Sequence, residues 1–268
     1  MKEILPILSV ILYSFASYFL LRRLASGIEA GNRSRALALG LGFLGALTHI
    51  ILLHQHILTP QGLNLSFFHV LSLTSWLASV LVLFSALKQP LENLGIVVFP
   101  FTALAVLIQS INPGDDVQMV VTDSGLKVHI LISIFSYSLL AIAALQAVLL
   151  AIQTKHLRNR HPGGFIRALP PLETMEQLLF RMIGLGYILL SLSLLTGTAY
   201  IEDIFAQHLV HKTVLSLAAW IVFAVLLWGR WRHGWRGRIA IRWTLIGFVA
   251  LMLAYFGSKL VLELILHR

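Results

Sequence analysis

Eight apolar segments, each close to the length that crosses a lipid bilayer, occupy most of the chain. A membrane-spanning helix needs about 20 predominantly apolar residues. The connections are short except for residues 154–177, where the runs PGG and PP interrupt regular structure. The predicted spans are residues 4–21, 36–57, 65–87, 94–111, 126–153, 178–200, 210–229 and 241–264.

The low content of charged residues supports this interpretation. Asp, Glu, Lys and Arg make up 12% of the 268 residues, whereas a soluble domain usually carries about 25%. The mean hydropathy is +0.86, so the excess apolar surface must face lipid rather than water. We expect an all-α, polytopic membrane bundle of eight transmembrane helices, with residues 1–268 forming a single transmembrane domain in contact with the bilayer.

Lys and Arg residues are concentrated on one side of the predicted membrane. That side holds fifteen of the twenty, and the other side holds seven of the eleven acidic residues. Cytoplasmic loops are enriched in Lys and Arg, so the basic side is predicted to be cytoplasmic and both termini periplasmic. The fifteen are Arg22, Arg23, Arg33, Arg35, Lys88, Lys155, Arg158, Arg160, Arg167, Arg181, Arg230, Arg232, Arg236, Arg238 and Arg242.

The same features exclude several classes of function. The net charge of +9 comes from short basic runs between spans, which is a topology pattern and not a nucleic-acid surface. With no cysteine, disulfides and thiolate metal sites are excluded. Carboxylates are nearly absent from the spans, and no internal repeat is evident, which argues against an ion-coupled transporter. Since no nucleophile–base constellation is evident, we expect no enzyme activity.

Eight of the eleven histidines lie toward the predicted periplasmic side. A buried imidazole is costly unless its nitrogens are hydrogen-bonded or bound to a metal. Each of these histidines is therefore a candidate for a hydrogen-bonded structural role, a metal or redox ligand, or a transport role, and spacing leaves the three open. They are His49, His54, His56, His69, His129, His208, His211 and His267.

His49 and His129 have depths that favour a shared cavity. His49 lies about thirteen residues into the second span, roughly 20 Å from its cytoplasmic start, and His56 follows near the same face. His129 opens the fifth span, where Ser133, Ser136 and Tyr137 continue its face as a polar stripe. Two neutral imidazoles facing each other between helices can ligate haem iron.

His69 offers a third position, because it begins the third span. Ser72 and Trp76 lie on the same face of that helix. His54, His208 and His267 are interpreted as interfacial residues at the ends of their spans.

Four stretches resemble the cytochrome c assembly family of the CcsA, ResC and HemX type. Length and segment order most resemble its short YpjD-like branch, and GWRGR and YFG are the most specific parts. The stretches are VHILISIFSYSLLAIAAL (128–145), PPLETMEQLLFRMIGLGYILLSLSLLTG (170–197), HKTVLSLAAWIVFAVLLWGRWRHGWRGRIA (211–240) and IGFVALMLAYFGSKLV (246–261).

The resemblance implies a bacterial inner-membrane protein that handles haem, which in that family is held or passed across the membrane for attachment to apocytochrome c. By resemblance, His129 matches the outer haem-iron ligand and His49 the histidine within the membrane. His56, His69 and His267 are weaker candidates. The tryptophan-rich WWD segment of the family is replaced here by YIEDIFAQHLVHK (200–212), and His211 takes a proline position, so it is not carried over as a ligand.

Two main hypotheses follow from these observations. The first is non-catalytic binding or handling of haem in a periplasm-facing pocket, with haem and other membrane proteins as partners. The alternative is an accessory or scaffold subunit, without haem, in another membrane complex such as a transporter or a tetrapyrrole-pathway enzyme. A transporter in its own right is the third possibility, and no nucleic-acid partner is expected.

Overall fold

The protein is almost entirely helical. The computed structural model describes residues 4–26, 32–59, 62–112, 118–119, 123–159, 169–198 and 207–257. Within these ranges eight helices are long and apolar enough to cross a membrane, which confirms the predicted all-α polytopic fold. They are α1 (Ile4–Ser26), α2 (Asn32–Ile57), α3 (Phe67–Lys88), α4 (Gly95–Ile111), α5 (Ser124–Arg158), α6 (Leu172–Thr198), α7 (Gln207–His233) and α8 (Gly237–Met252).

Several helices extend beyond the predicted spans. α5 has 35 residues and is roughly 52 Å long at 1.5 Å per residue, so it must tilt or project beyond a hydrocarbon core of about 30 Å. α6 begins at Leu172, so the polar lead-in and the predicted sixth span are one helix. α8 continues into a π-helical turn, Leu253–Gly257, and the rest of the predicted eighth span lies outside the described residues.

The helices group into two compact units. The first unit comprises residues 1–120 and 160–170, and the second comprises residues 121–159 and 171–268. In the first, α1 and α3 each pack against α2 and α4; in the second, α5 and α7 each pack against α6 and α8. The expectation that residues 1–268 form a single transmembrane domain is not tested by this division into units, and it stays a prediction.

Each unit has its own apolar core and an outer surface that is also apolar. Tyr13 and Phe99 are fully buried in the first unit, and Leu140 and Phe223 in the second. Many large aliphatic side chains on the helix faces are exposed, among them Leu195, which is 68% exposed. Such a surface is stable when lipid tails cover it, because the tails are as apolar as the side chains themselves.

Pro100 lies inside α4 without breaking the helix. Proline has no N–H, so the carbonyl four residues earlier, that of Ile96, loses its helical partner. The Ser17 hydroxyl on α1 donates to that carbonyl over 3.0 Å. A neighbouring helix therefore satisfies the freed group, which is how a proline is tolerated within the bilayer.

A small backbone ladder joins the loops at one end of the first unit. Strands β1 (Leu58–Thr59), β2 (Gly62–Asn64) and β3 (Gln118–Met119) pair antiparallel in the order β1–β2–β3. Leu63 on β2 lies opposite both Leu58 and Met119. The sequence analysis did not predict these strands, because two or three residues are too few to show an alternating pattern.

An arginine pairs with a glutamate at one end of each unit. In the first unit, Arg35 pairs with Glu92 at 3.4 Å and also donates to the carbonyl of Ala86. In the second unit, Glu176 accepts from Arg236 Nε and from the backbone N–H of Gly237, both at 2.8 Å. The hydrogen bond and negative charge of Glu176 raise the pKa of Arg236. Which side of the membrane these ends face stays a prediction from the distribution of Lys and Arg.

A double-mutant cycle tests the pairing between Ser17 and Ile96. We expect Ser17→Ala to destabilise the protein by about 1 kcal/mol, because a buried carbonyl loses its donor. The cost should shrink in a Pro100→Ala background, where the restored backbone N–H at position 100 can donate to the Ile96 carbonyl. Thermal unfolding in detergent measures both, with the exposed Ser26→Ala on the same helix as control. Equal costs of Ser17→Ala in the two backgrounds would contradict the pairing.

Two glycines on α6 make a matched test of helix packing. A Cβ added at Gly186 would lie 2.7 Å from Cγ and Cδ2 of the fully buried Leu140 on α5, whereas one added at Gly184 would meet nothing within 4 Å. We expect Gly186→Ala to cost about 1–3 kcal/mol in stability by overpacking. Gly184→Ala should be neutral or stabilising, since alanine favours helix. The same unfolding assay compares them, and an equal loss in both would contradict the close approach of α5 and α6.

Candidate functional site

His49 lies in the middle of the first unit, on α2. Its side chain is fully buried, and its Nε2 lies 2.9 Å from Ser72 Oγ on α3. The Tyr13 ring of α1 packs edge-on against the imidazole, with centroids 6.0 Å apart. A Cβ at Gly45 would lie 3.3 Å from the Tyr13 ring, so the small residue one turn earlier admits this contact.

Within the part of the chain that the structure describes, the second nitrogen of His49 is one of several buried polar atoms left without a hydrogen-bond partner, as is the neighbouring Tyr13 hydroxyl. His49 Nδ1 is buried and has no hydrogen-bond partner among the described residues. An unsatisfied buried nitrogen costs about 1–3 kcal/mol, and an orphan of this kind in a native core calls for a physical explanation. His49 is therefore a structural histidine through Nε2 and a candidate ligand through Nδ1.

His56 and His69 lie side by side near the end of the first unit that carries β1 and β2. Their ring centroids are 6.0 Å apart. His69 is fully buried, and its Nδ1 lies 2.6 Å from Ser66 Oγ. The Asn64 side chain accepts from the Ser66 backbone N–H over 3.2 Å, which anchors the loop before α3. Sequence spacing identified both histidines separately, and the helix pairing brings them together.

His129 lies near the start of α5 in the second unit and is half-buried. Its Nδ1 lies 3.0 Å from Thr196 Oγ1 on α6. The single hydroxyl proton of Thr196 is directed to backbone carbonyls of its own helix, at 2.8 Å from Leu192 O and 3.1 Å from Ser193 O. With Thr196 Oγ1 acting as the acceptor, we assign the ring proton to Nδ1, which leaves the lone pair on Nε2.

The polar stripe predicted below His129 contacts α6, except at its last residue. Ser133 donates to the His129 carbonyl over 2.7 Å, and its oxygen lies 2.7 Å from Ser193 Oγ. Ser136 donates to the Gly186 carbonyl over 3.0 Å. Tyr137 packs instead against Phe248 and the aromatic side chains of the π-helical turn. Two turns of α5 are thus held to α6 by hydroxyl groups.

The remaining predicted histidines contribute less to a site. His54 and His211 are exposed. His267 and residues 200–206 of the segment that departs from the family pattern lie outside the described residues, and the structure gives no account of the His208 side chain. Among the described residues, no group of three or more His, Asp or Glu side chains is placed to hold a metal ion.

Sequence reasoning did not identify Thr196 and Gly197, which define the environment of His129. Ser193 and Thr196 lie three residues apart, so they share one face of α6. That spacing was the available signal, although nothing in it specifies which helix the face contacts. A Cβ at Gly197 would lie 3.0 Å from His129 Cε1, so the glycine makes room for the ring.

A haem-iron ligand needs an imidazole nitrogen with a free lone pair and space beside it. His129 fits, because Thr196 orients the ring and the side chain is half-exposed. His49 fits in chemistry but not in space, since its ring is enclosed by Tyr13 and Ser72. His49 and His129 belong to different units, so the predicted common pocket stays a prediction.

The contact between Ser72 and His49 can be tested by stability. We expect Ser72→Ala to cost about 1–3 kcal/mol, because both nitrogens of a buried imidazole would then lack partners. Ser110→Ala is the control in the same unit, since that exposed serine bonds only to its own helix. Thermal unfolding in detergent is the measurement, and equal midpoints for the two variants would contradict a structural role of Ser72.

Comparisons with known proteins connect this architecture to one family. The sequence profile described as "Cytochrome C assembly protein" matches residues 38–266, which include His49 and His129. The chain is 35% identical to "Inner membrane protein YpjD" of Escherichia coli (strain K12) over 233 residues, 86% of this chain and 88% of that protein.

More distant relatives extend the same pattern. "Cytochrome c biogenesis protein CcsA" of Guillardia theta is 25% identical over 203 residues, 66% of this chain and 67% of that protein. "Protein HemX" of Brevibacillus brevis is 23% identical over 239 residues, 86% and 87% of the two chains. No solved structure matches the chain. The eight apolar helices and the likeness to an inner membrane protein confirm the predicted multi-pass membrane location. Because the family profile matches most of its length, the chain belongs to the cytochrome c assembly protein family.

Proposed function

We propose that this membrane protein binds haem, or a related tetrapyrrole, in a pocket at the predicted periplasmic side, and that its role is binding or handling rather than catalysis. Family membership supports the class of ligand. The observation that carries the proposal is the geometry of His129, whose Nδ1 is bonded to Thr196. That bond directs the lone pair to Nε2, the nitrogen that a ligand would use.

The residues around His129 hold it in one orientation. Thr196 fixes the ring by its Nδ1 contact, while Ser133 and Ser193 connect the helix beneath it to α6. Gly197 keeps the ring free of a side chain on α6. If haem were bound here, His129 would hold the iron through Nε2, and the iron would supply its coordination and redox chemistry.

His49 stays the predicted second ligand. To bind iron through Nε2 it would have to release Ser72, whereas Nδ1 already lacks a partner among the described residues. Because the His49 side chain is fully buried, binding through either nitrogen requires the surrounding side chains to move. The proposal therefore assigns the first contact with haem to His129.

A scaffold without haem is the second candidate, and the enclosure of His49 favours it. A histidine that is fully buried and bonded to Ser72 can serve packing alone. The sequence also lacks the WWD segment of the family. In this case the protein would stabilise another membrane protein through its exposed apolar helix faces, and it would co-purify with that partner without pigment.

Haem titration of the detergent-purified protein distinguishes the two candidates. We expect saturable binding with a Soret band, weakened at least tenfold by His129→Ala because the ligand is removed. Thr196→Val should weaken binding about tenfold, the lower end of the effect of losing a partner that orients a ligand. His211→Ala, an exposed histidine of the same unit, is the control and should bind as the unmodified protein does.

Two results of the haem titration would contradict the proposal. A protein that shows no Soret band after titration, or a His129→Ala variant with unchanged affinity, would refute the ligand assignment. A His49→Ala variant, folded by thermal unfolding, then shows whether the buried histidine contributes to binding: unchanged affinity would leave it a purely structural residue.

A further inference from the structure

A strongly basic cavity lies in the second unit, at the end predicted to face the cytoplasm. Its volume is about 450 Å³, and the last turns of α5 and the first turns of α8 line it. Thr154, Lys155 and Arg158 contribute from α5, and Arg238, Ile241 and Arg242 from α8. None of the lining residues is acidic, and the two ion pairs found among the described residues involve none of these four cations.

The helical spacing explains why four positive charges converge there. Lys155 and Arg158 are three residues apart and Arg238 and Arg242 four apart, so each pair shares one face of its helix. α5 packs against α8, and the two basic faces meet across the cavity. All four side chains are exposed, and together they concentrate positive charge around one cavity.

This concentration is unfavourable without a negative partner. Cations stabilise the C-terminus of a helix, as Lys155 and Arg158 do on α5, but they oppose the positive end of the helix dipole at the start of α8. The acidic residues close to this end serve Arg236: Glu176 bonds to it and to the Gly237 N–H, and Glu173 adds its charge. The charge within the cavity is therefore left for a ligand to balance.

We propose that this cavity binds the phosphate group of an anionic phospholipid. Cations between the cytoplasmic ends of membrane helices are placed at the depth of lipid headgroups. The volume lies within the roughly 300–1,000 Å³ of ligand pockets. Apolar side chains on the same two helices, including Ile152 and Ile239, are exposed and provide a surface for acyl chains. A free phosphate ion would satisfy the charges without using that apolar surface.

Native mass spectrometry of the full chain in detergent tests the proposal. Phosphatidylglycerol should bind at least tenfold more tightly than phosphatidylcholine. The double variant Arg238→Gln/Arg242→Gln should lose about thirtyfold in affinity for phosphatidylglycerol, since each cation near an anionic lipid contributes about fivefold. The matched control is Arg181→Gln/Arg232→Gln, two exposed arginines of the same unit outside the cavity, and it should change affinity less than twofold.

Three outcomes would overturn the assignment. Equal losses in the two double variants would show general surface attraction in place of a site. Equal affinity for the two lipids would show that charge is not recognised. Inorganic phosphate that competes with phosphatidylglycerol at equal concentration would assign the cavity to a soluble phosphate ligand. Thermal unfolding of each variant verifies that a loss of binding is not a loss of fold.

Discussion

In a bilayer, every polar group within a span must find its partner inside the protein, and this constraint organises both units. Hydrocarbon offers no hydrogen bonds, so an unpaired group is costly. Ser17 supplies the donor that Pro100 removes from Ile96, and Trp76 donates from α3 to the Ala46 carbonyl on α2. In the second unit, the Ser136 hydroxyl on α5 donates to the Gly186 carbonyl on α6. These contacts specify which helices pair, since apolar surface alone does not distinguish one neighbour from another.

The two histidines with the strongest functional case differ in how they meet this constraint. His129 has one nitrogen bonded to Thr196 and retains a lone pair at a half-exposed position. His49 has one nitrogen bonded to Ser72 and the other orphaned in a closed core. The first arrangement supports the proposed ligand role, because a hydroxyl orients the ring. The second keeps α2 and α3 in register and carries an unsatisfied nitrogen that a bound group could satisfy.

Charged side chains lie near the ends of helices in each unit. Glu92 and Glu176 each neutralise one arginine near the ends of neighbouring helices. The second unit then retains four further cations around one cavity. Positive charge that is left unbalanced near a helix N-terminus is unfavourable. The anionic lipid proposed for this cavity would balance that charge at the start of α8.

The number of spans, their approximate limits and the family followed from the order of residues, whereas the ligand roles of His49 and His129 stay predictions. The length of an apolar segment and the charges that flank it are local properties of the sequence, and they determine directly whether and how the segment spans a bilayer. Thr196 beside His129, Ser17 beside Ile96 and the pairing of His56 with His69 did not follow, because each joins residues on different helices. Periodicity shows which residues share a face, whereas the partner of that face is settled by side-chain packing between helices far apart in the chain.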